Sequence, residues 1–335
     1  MKKNGAIYLI SSRTKLLKKC LNNLFKYWNY QFDYPVYVHY WNNIYSKKFI
    51  NEVNKEISRN IYFHQIDYET PTNIKENEMY YNKTNLKYVR ESFSKKRIGY
   101  LHMCRFATNL TSYGKRGCII DKLKKYDYLM KIDDDSGFLK KIDFDLFEKL
   151  DKHPYVTAYT WNTFNYTHKE TRINLWNFYN NYLKKFKYVP KFEPLANAII
   201  NKDEMTMHKL NWSSGNLNLF NIKFFLDKPW NEYLNELNNF GGDFKYRWGD
   251  IETIGLFAYT HFDKPILDLN LRNTGHYINK IDSSFSVMAP SPHSKYNLHN
   301  SIILTIYHLI KFLFKKILIF FKSVFRRKKI TKFRD

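Results

Sequence analysis

Tyr126-Asp-Tyr-Leu-Met-Lys-Ile-Asp-Asp-Asp135 is the stretch on which the fold turns. It begins as a largely apolar run rich in strand formers and stops at three consecutive carboxylates. A strand ending in Asp-x-Asp carries two carboxylates to the edge of a sheet, and α/β folds bind ligands in the crevice outside such strand ends. Asp133 and Asp135 are therefore candidate ligands for Mn2+ or Mg2+, whose preference for hard oxygen matches both aspartate and a diphosphate. An acidic triplet taken alone equally suits a solvated turn, so its surroundings decide.

Upstream, Ala6-Ile-Tyr-Leu-Ile10 reads as a buried strand. A helix follows to about Trp28, with Leu16, Leu17, Cys20, Leu21, Leu24 and Phe25 on one side, and Pro35-Val-Tyr-Val-His39 is the next strand. This β-α-β opening predicts a central sheet with parallel strands and covering helices. Ile61-Tyr-Phe-His64 is a further strand, residues 70–95 a polar surface loop with partial helix, and Ile98 to Ser112 a helix. Phe244, Tyr246 and Trp248 alternate as a buried strand does. No repeat and no Gly/Ser or Pro linker precedes about residue 285, so residues 1–290 read as one domain and 291–335 as a tail.

Composition narrows the partners. Lys and Arg outnumber Asp and Glu 55 to 31, which draws phosphate-bearing molecules to the surface: nucleic acid, anionic lipid or a nucleotide sugar. A large share of the excess lies beyond residue 300, and the body has no zinc-finger spacing or RNA-binding signature, so nucleic acid is discounted. Cys20, Cys104 and Cys118 form no disulfide or zinc pattern and fit a reducing compartment. The apolar run after Met1-Lys-Lys3 is shorter than that of an export signal, so a cytoplasmic location is expected.

Four blocks carry a resemblance. Tyr100-Leu-His-Met-Cys-Arg-Phe106, Lys125-Tyr-Asp-Tyr128 leading into the acidic triplet, Ile142-Asp-Phe-Asp145, and Gly241-Gly-Asp-Phe-Lys-Tyr-Arg-Trp-Gly-Asp250 occur in this order. Over about residues 5–280 the chain resembles the yeast-type α-1,2-mannosyltransferases of glycosyltransferase family 15. The resemblance implies a GT-A type fold, a mixed and mainly parallel sheet flanked by helices. It also implies a retaining, Mn2+-dependent transfer of mannose from GDP-mannose to a hydroxyl of a glycan or glycolipid acceptor. The family's metal-site segment falls on Asp133-Asp134-Asp135. Its Gly-Tyr-His segment, which completes the metal shell, corresponds to Gly275-His276-Tyr277 one residue out of step, making His276 a candidate ligand. Arg105 and His102 would lie near the donor phosphates, with a helix-surface ion pair as the plainer reading of Arg105. Asp250, in Trp248-Gly-Asp250, would orient or deprotonate the acceptor hydroxyl, although aspartate there also suits the cap of a helix starting at Ile251.

One departure matters. Where the family has a carboxylate proposed as nucleophile or cation stabiliser, this chain has Asn216, in Trp212-Ser-Ser-Gly-Asn216. An amide cannot be that nucleophile. Front-face transfer supported by Asn216, a substitute carboxylate, or a different donor sugar each accommodate it, and a lectin-like protein without turnover is a further alternative. Finally, Ser301 to Phe325 repeats Ile, Leu and Phe at helical spacing, places His308, Lys311, Lys315 and Lys322 on one face, and leads into Arg326-Arg-Lys-Lys329. That pattern predicts an amphipathic helix lying on an anionic membrane surface.

Overall fold

The structure, a computed structural model, describes residues 2–41, 44–66, 71–80, 98–108, 110, 119–162, 172–203, 210–273 and 286–290. Two units, Met1–Ala289 and Pro290–Asp335, separate by their internal contacts, and the first holds the central sheet. His276 and the tail helix lie outside the described residues. Among the described residues no helix is long and apolar enough to cross a membrane.

The chain opens with β1 (Gly5–Ile10), α1 (Thr14–Leu24), β2 (Val36–Trp41), α2 (Lys47–Ile57) and β3 (Ile61–Ile66). Next come α3 (Ile98–Thr108), α4 (Ile119–Leu123), β4 (Tyr128–Ile132), β5 (Ser136–Phe138), β6 (Tyr155–Thr157) and β7 (Thr160–Asn162). Helices α5 (Leu175–Phe186) and α6 (Glu193–Ile200) precede β8 (Asn211–Ser213) and β9 (Leu217–Asn221). The remaining elements are α7 (Lys223–Leu226), α8 (Lys228–Phe240), α9 (Gly242–Lys245), α10 (Asp250–His261), β10 (Leu267–Asp268), β11 (Leu271–Asn273) and β12 (Ser286–Pro290).

A seven-stranded sheet in the order β10-β6-β9-β4-β1-β2-β3 is the centre of the fold. Neighbours run parallel except at β9, which is antiparallel to both β4 and β6. Strand β1 is buried at every position, as a parallel strand covered on both faces must be. Its alternate residues divide the interior: Ala6, Tyr8 and Ile10 enter one core with α5, α8 and α10, while Ile7 and Leu9 enter another with α1 and Val53 of α2. The predicted face of α1 is buried through Leu17, Cys20, Leu21 and Leu24, with Leu16 at its margin. A π-helical turn, Phe25–Asn29, carries it past Trp28.

β1 has β2 on one side and β4 on the other, so the chain's winding reverses there and a crevice opens at the strands' carboxyl ends. Residues 133–135 sit at that point. The expected strand through Phe244, Tyr246 and Trp248 is not formed. Gly242–Lys245 coils as α9 instead, and Phe244 and Trp248 are buried by a turn rather than by strand alternation. Gly241, at φ +70°, takes the left-handed conformation that stops α8 and starts this turn.

The helix behind the crevice, α10, is buried on nearly all sides and lies against the indole of Trp212. A Cβ at Gly255 would fall 2.3 Å from Trp212 Cε3. Gly255→Ala should therefore destabilise the fold by about 1–2 kcal/mol, because a strain of about 1–3 kcal/mol outweighs the helix propensity gained. A fall in the urea midpoint at constant m checks this, and an unchanged midpoint would show that Trp212 gives way freely.

Candidate active site

Four segments meet in the crevice. They are the end of β1 with Ser11 and Arg13, the end of β4 with Lys131 to Asp135, the β8–β9 turn with Gly215 and Asn216, and the first turn of α10 with Asp250 and Glu252. The turn is brought in by sheet pairing: Ile132 lies opposite Leu217, and the Asp133 N–H continues the ladder by donating to the Asn216 carbonyl at 2.9 Å. Asn216 thus stands beside the first aspartate, and its buried Oδ1 accepts no hydrogen bond among the described residues.

Lys131 lies between these segments. It belongs to the sheet's centre, opposite Tyr8 on one side and Asn218 on the other, and is only 3% exposed. Its Nζ donates to Gly215 O at 2.7 Å and lies 2.9 Å from Asp133 Oδ1 and 3.2 Å from Asp250 Oδ2. Burial favours the neutral amine, but the Asp133 and Asp250 charges outweigh it and hold the group protonated well above the usual lysine range. Asp250 thus has its carboxylate against the Lys131 ammonium at the start of α10. The expected cap is therefore not what Asp250 supplies. Gly249 occupies the N-cap, Asp250 is the first helical residue, and its carboxylate faces Lys131.

The triplet divides by environment. Asp134 is buried and accepts from Ser11 Oγ and from Arg13 through Nη2 and through Nε, the last at 3.2 Å. It is a structural carboxylate. Asp133 and Asp135 keep side chains 31% and 32% exposed and face the crevice. Asp135 is pushed up by burial and then by the Asp133 charge, which Arg13 counters from 3.0 Å.

Arg105 and His102 lie on α3, against α9. Arg105 is buried and grips Asp243 with Nε at 2.6 Å and Nη2 at 3.1 Å, its guanidinium 4.7 Å over the Phe244 ring. His102 meets the same ring edge-on at 5.0 Å, and burial lowers its pKa to about 3. Both fasten α3 to α9, so the ion pair is interior rather than on a helix surface. The partner is Asp243, inside the Gly-Gly-Asp block, which local sequence could not indicate. Arg13, Lys131 and Glu252 were also missed. A lone lysine inside an apolar strand run, two residues before the aspartates, was the available signal for Lys131.

Two carboxylates with exposed edges suit a hard divalent cation that takes its other ligands from a diphosphate and water. Among the described residues no cluster of three metal-ligating side chains occurs.

The chain is similar to known proteins. The profile of the family described as glycolipid 2-alpha-mannosyltransferase matches residues 1–281. The glycolipid 2-alpha-mannosyltransferase of Saccharomyces cerevisiae is 25% identical over 74% of this chain and 55% of its own length. The O-glycoside alpha-1,2-mannosyltransferase omh1 of Schizosaccharomyces pombe is 24% identical over 72% and 61%. The chain thus spans just over half the length of these relatives. Among solved structures, the mannosyltransferase Ktr4p of S. cerevisiae superposes with TM-score 0.64 at 20% identity, covering 80% of this chain and 69% of that one. Core-mannan synthase A of Aspergillus fumigatus, in a Mn/GDP form, gives 0.64 at 18% identity over 80% and 73%. These likenesses establish a GT-A type fold.

Glu252, in the first turn of α10 and 3% exposed, is raised to about 7 by burial and then by the Asp250 charge, with Arg172 and Arg247 opposing. A carboxyl raised on folding contributes stability that is full below its unfolded value, near 4.5, and is lost as pH rises through about 7. Between those limits the protein should lose on the order of 3 kcal/mol that a Glu252→Gln variant keeps. Urea unfolding of both proteins across that window checks it, and parallel pH profiles would refute it.

Proposed function

Because the chain belongs to the glycolipid 2-alpha-mannosyltransferase family, we propose that it is a metal-dependent, retaining mannosyltransferase. It moves mannose from GDP-mannose to a hydroxyl, forming an α-1,2 linkage on a glycan or glycolipid acceptor. The observation that carries the reading is the gathering of Asp133 and Asp250 around Lys131 at the strand ends, with Asp135 next to them against Arg13. Asp133 and Asp135 would hold Mn2+ or Mg2+, which would supply positive charge opposite the departing diphosphate. His276 would complete the shell.

The chain's own groups do the rest. Lys131 holds the Asp250 side chain in place, so its carboxylate can orient the acceptor hydroxyl. Asn216 can form no glycosyl ester, which favours departure and attack on one face of the sugar. The anomeric carbon–phosphate oxygen bond breaks as the carbon–acceptor oxygen bond forms, and the hydroxyl proton passes to the departing phosphate oxygen. The Asn216 amide supports the cation-like sugar by hydrogen bonding. The basic stretch Ser301 to Phe325 would hold the enzyme at an anionic membrane surface. Asn216 also leaves room for a second reading, the same fold acting on another nucleotide sugar.

A panel of nucleotide sugars with Mn2+ should show hydrolysis of GDP-mannose ahead of uridine-linked donors, and its abolition by chelator. Asp135→Asn should lower the rate by several powers of ten. Asn216→Ala should lower kcat about 10²- to 10³-fold with KM nearly fixed, as expected for a contact made only in the transition state. Undiminished turnover in excess chelator, or preference for another donor, would overturn the respective part.

A further inference from the structure

Both aspartates assigned to the divalent cation already face protein cations. Lys131 Nζ is 2.9 Å from Asp133 Oδ1, and Arg13 Nη2 is 3.0 Å from Asp135 Oδ2. The two cations differ in freedom. Lys131 is sealed in the sheet with an oxygen partner for each of its protons. Arg13 is 47% exposed along its side chain, on the short extended link between β1 and α1, where it makes no side-chain cap. Its grip on Asp134 is shared with Ser11, which Tyr45 OH braces at 2.7 Å, so Asp134 has a second anchor.

We propose that Arg13 is a positioning residue that makes metal binding depend on the nucleotide. In the nucleotide-free protein its guanidinium neutralises Asp135 and competes with the cation for that carboxylate. When a nucleoside diphosphate enters, the guanidinium turns to the phosphate oxygens, whose geometry it matches with two parallel hydrogen bonds. Asp135 is then released to the cation. The Arg13–Asp135 pair, unlike the Arg13–Asp134 pair, is partly exposed on both sides and so cheap to break, which a reversible exchange requires. By linkage, the diphosphate raises metal affinity by the same factor as the metal raises diphosphate affinity. The proposal rests on the metal-dependent reading above.

The test measures Mn2+ binding to the full chain by the electron paramagnetic resonance of free Mn2+, with and without GDP, and needs no turnover. The proteins are the unaltered chain, Arg13→Ala, and Arg13→Ala with Asp134→Asn. The double variant removes the buried carboxylate together with its partner and carries the measurement if the single variant fails to fold. Without GDP, the variants should bind Mn2+ about fivefold more tightly than the unaltered protein, the worth of one exposed ion pair. The enhancement by GDP should shrink by a similar factor. Affinity equal to or below that of the unaltered protein, which a purely structural Arg13 would give, overturns the proposal, as does an unchanged enhancement. An unaltered protein that binds no Mn2+ even with GDP would instead overturn the metal-dependent reading, and this proposal with it.

Discussion

A single buried ammonium organises the crevice. Lys131 sits where desolvation would ordinarily force a lysine to give up its proton, and it stays charged because three oxygens from three separate segments surround it. Those segments are the end of β4, the turn before β9, and the first turn of α10. Their positions are interdependent, since displacing any one leaves a charge or a carbonyl unbalanced in the interior. Hydrophobic packing brings the elements close, and this charge fixes their register.

The antiparallel strand β9 gives that arrangement its shape. A parallel neighbour of β4 would send its connecting loop to the far end of the sheet, whereas β9 begins where β4 ends. Gly215 and Asn216 are thereby set against Asp133. Gly215 adopts φ +74°, and a Cβ there would meet the Ile251 side chain of α10 at 2.9 Å, so that side chain packs directly on the turn's backbone. Trp212 against Gly255 holds the other side of the same contact. Arg247, the residue before Trp248, is buried in the left-handed region at φ +59° with its guanidinium 4.7 Å over Tyr100, a strained backbone next to the helix that carries Asp250.

Much of this was legible from local pattern. The β1–α1–β2 opening, the strand running into the aspartates and the helix at Ile98 all follow from periodicity and strand propensity, which are properties of neighbouring residues. Asp133, Asp135, Asn216 and Asp250 were singled out in sequence, and the fold brings the segments carrying them together. What was not legible depends on pairs far apart in the chain: Arg13 with Asp134, Lys131 with Asp250, Arg105 with Asp243. None of these has a local signature. Phe244, Tyr246 and Trp248 misled because a tight helical turn can bury Phe244 and Trp248 as an alternating strand would, and the left-handed Gly241 and Arg247 mark the turn.

The order of strands also bears on how the chain reaches this state during synthesis. β1, β2 and β3 pair with sequence neighbours and can assemble early, but β4 joins β1 across more than a hundred residues and waits for β9 on its other side. Until residues 217–221 emerge, β4 is a sheet edge bearing Leu129, Met130 and Ile132. An unpaired, apolar edge is a template for pairing with other chains. Its one internal gatekeeper is the charge of Lys131, which at that stage has neither the β8–β9 turn nor α10 to bury it. The residue that later sits at the centre of the crevice thus also guards the nascent sheet against association.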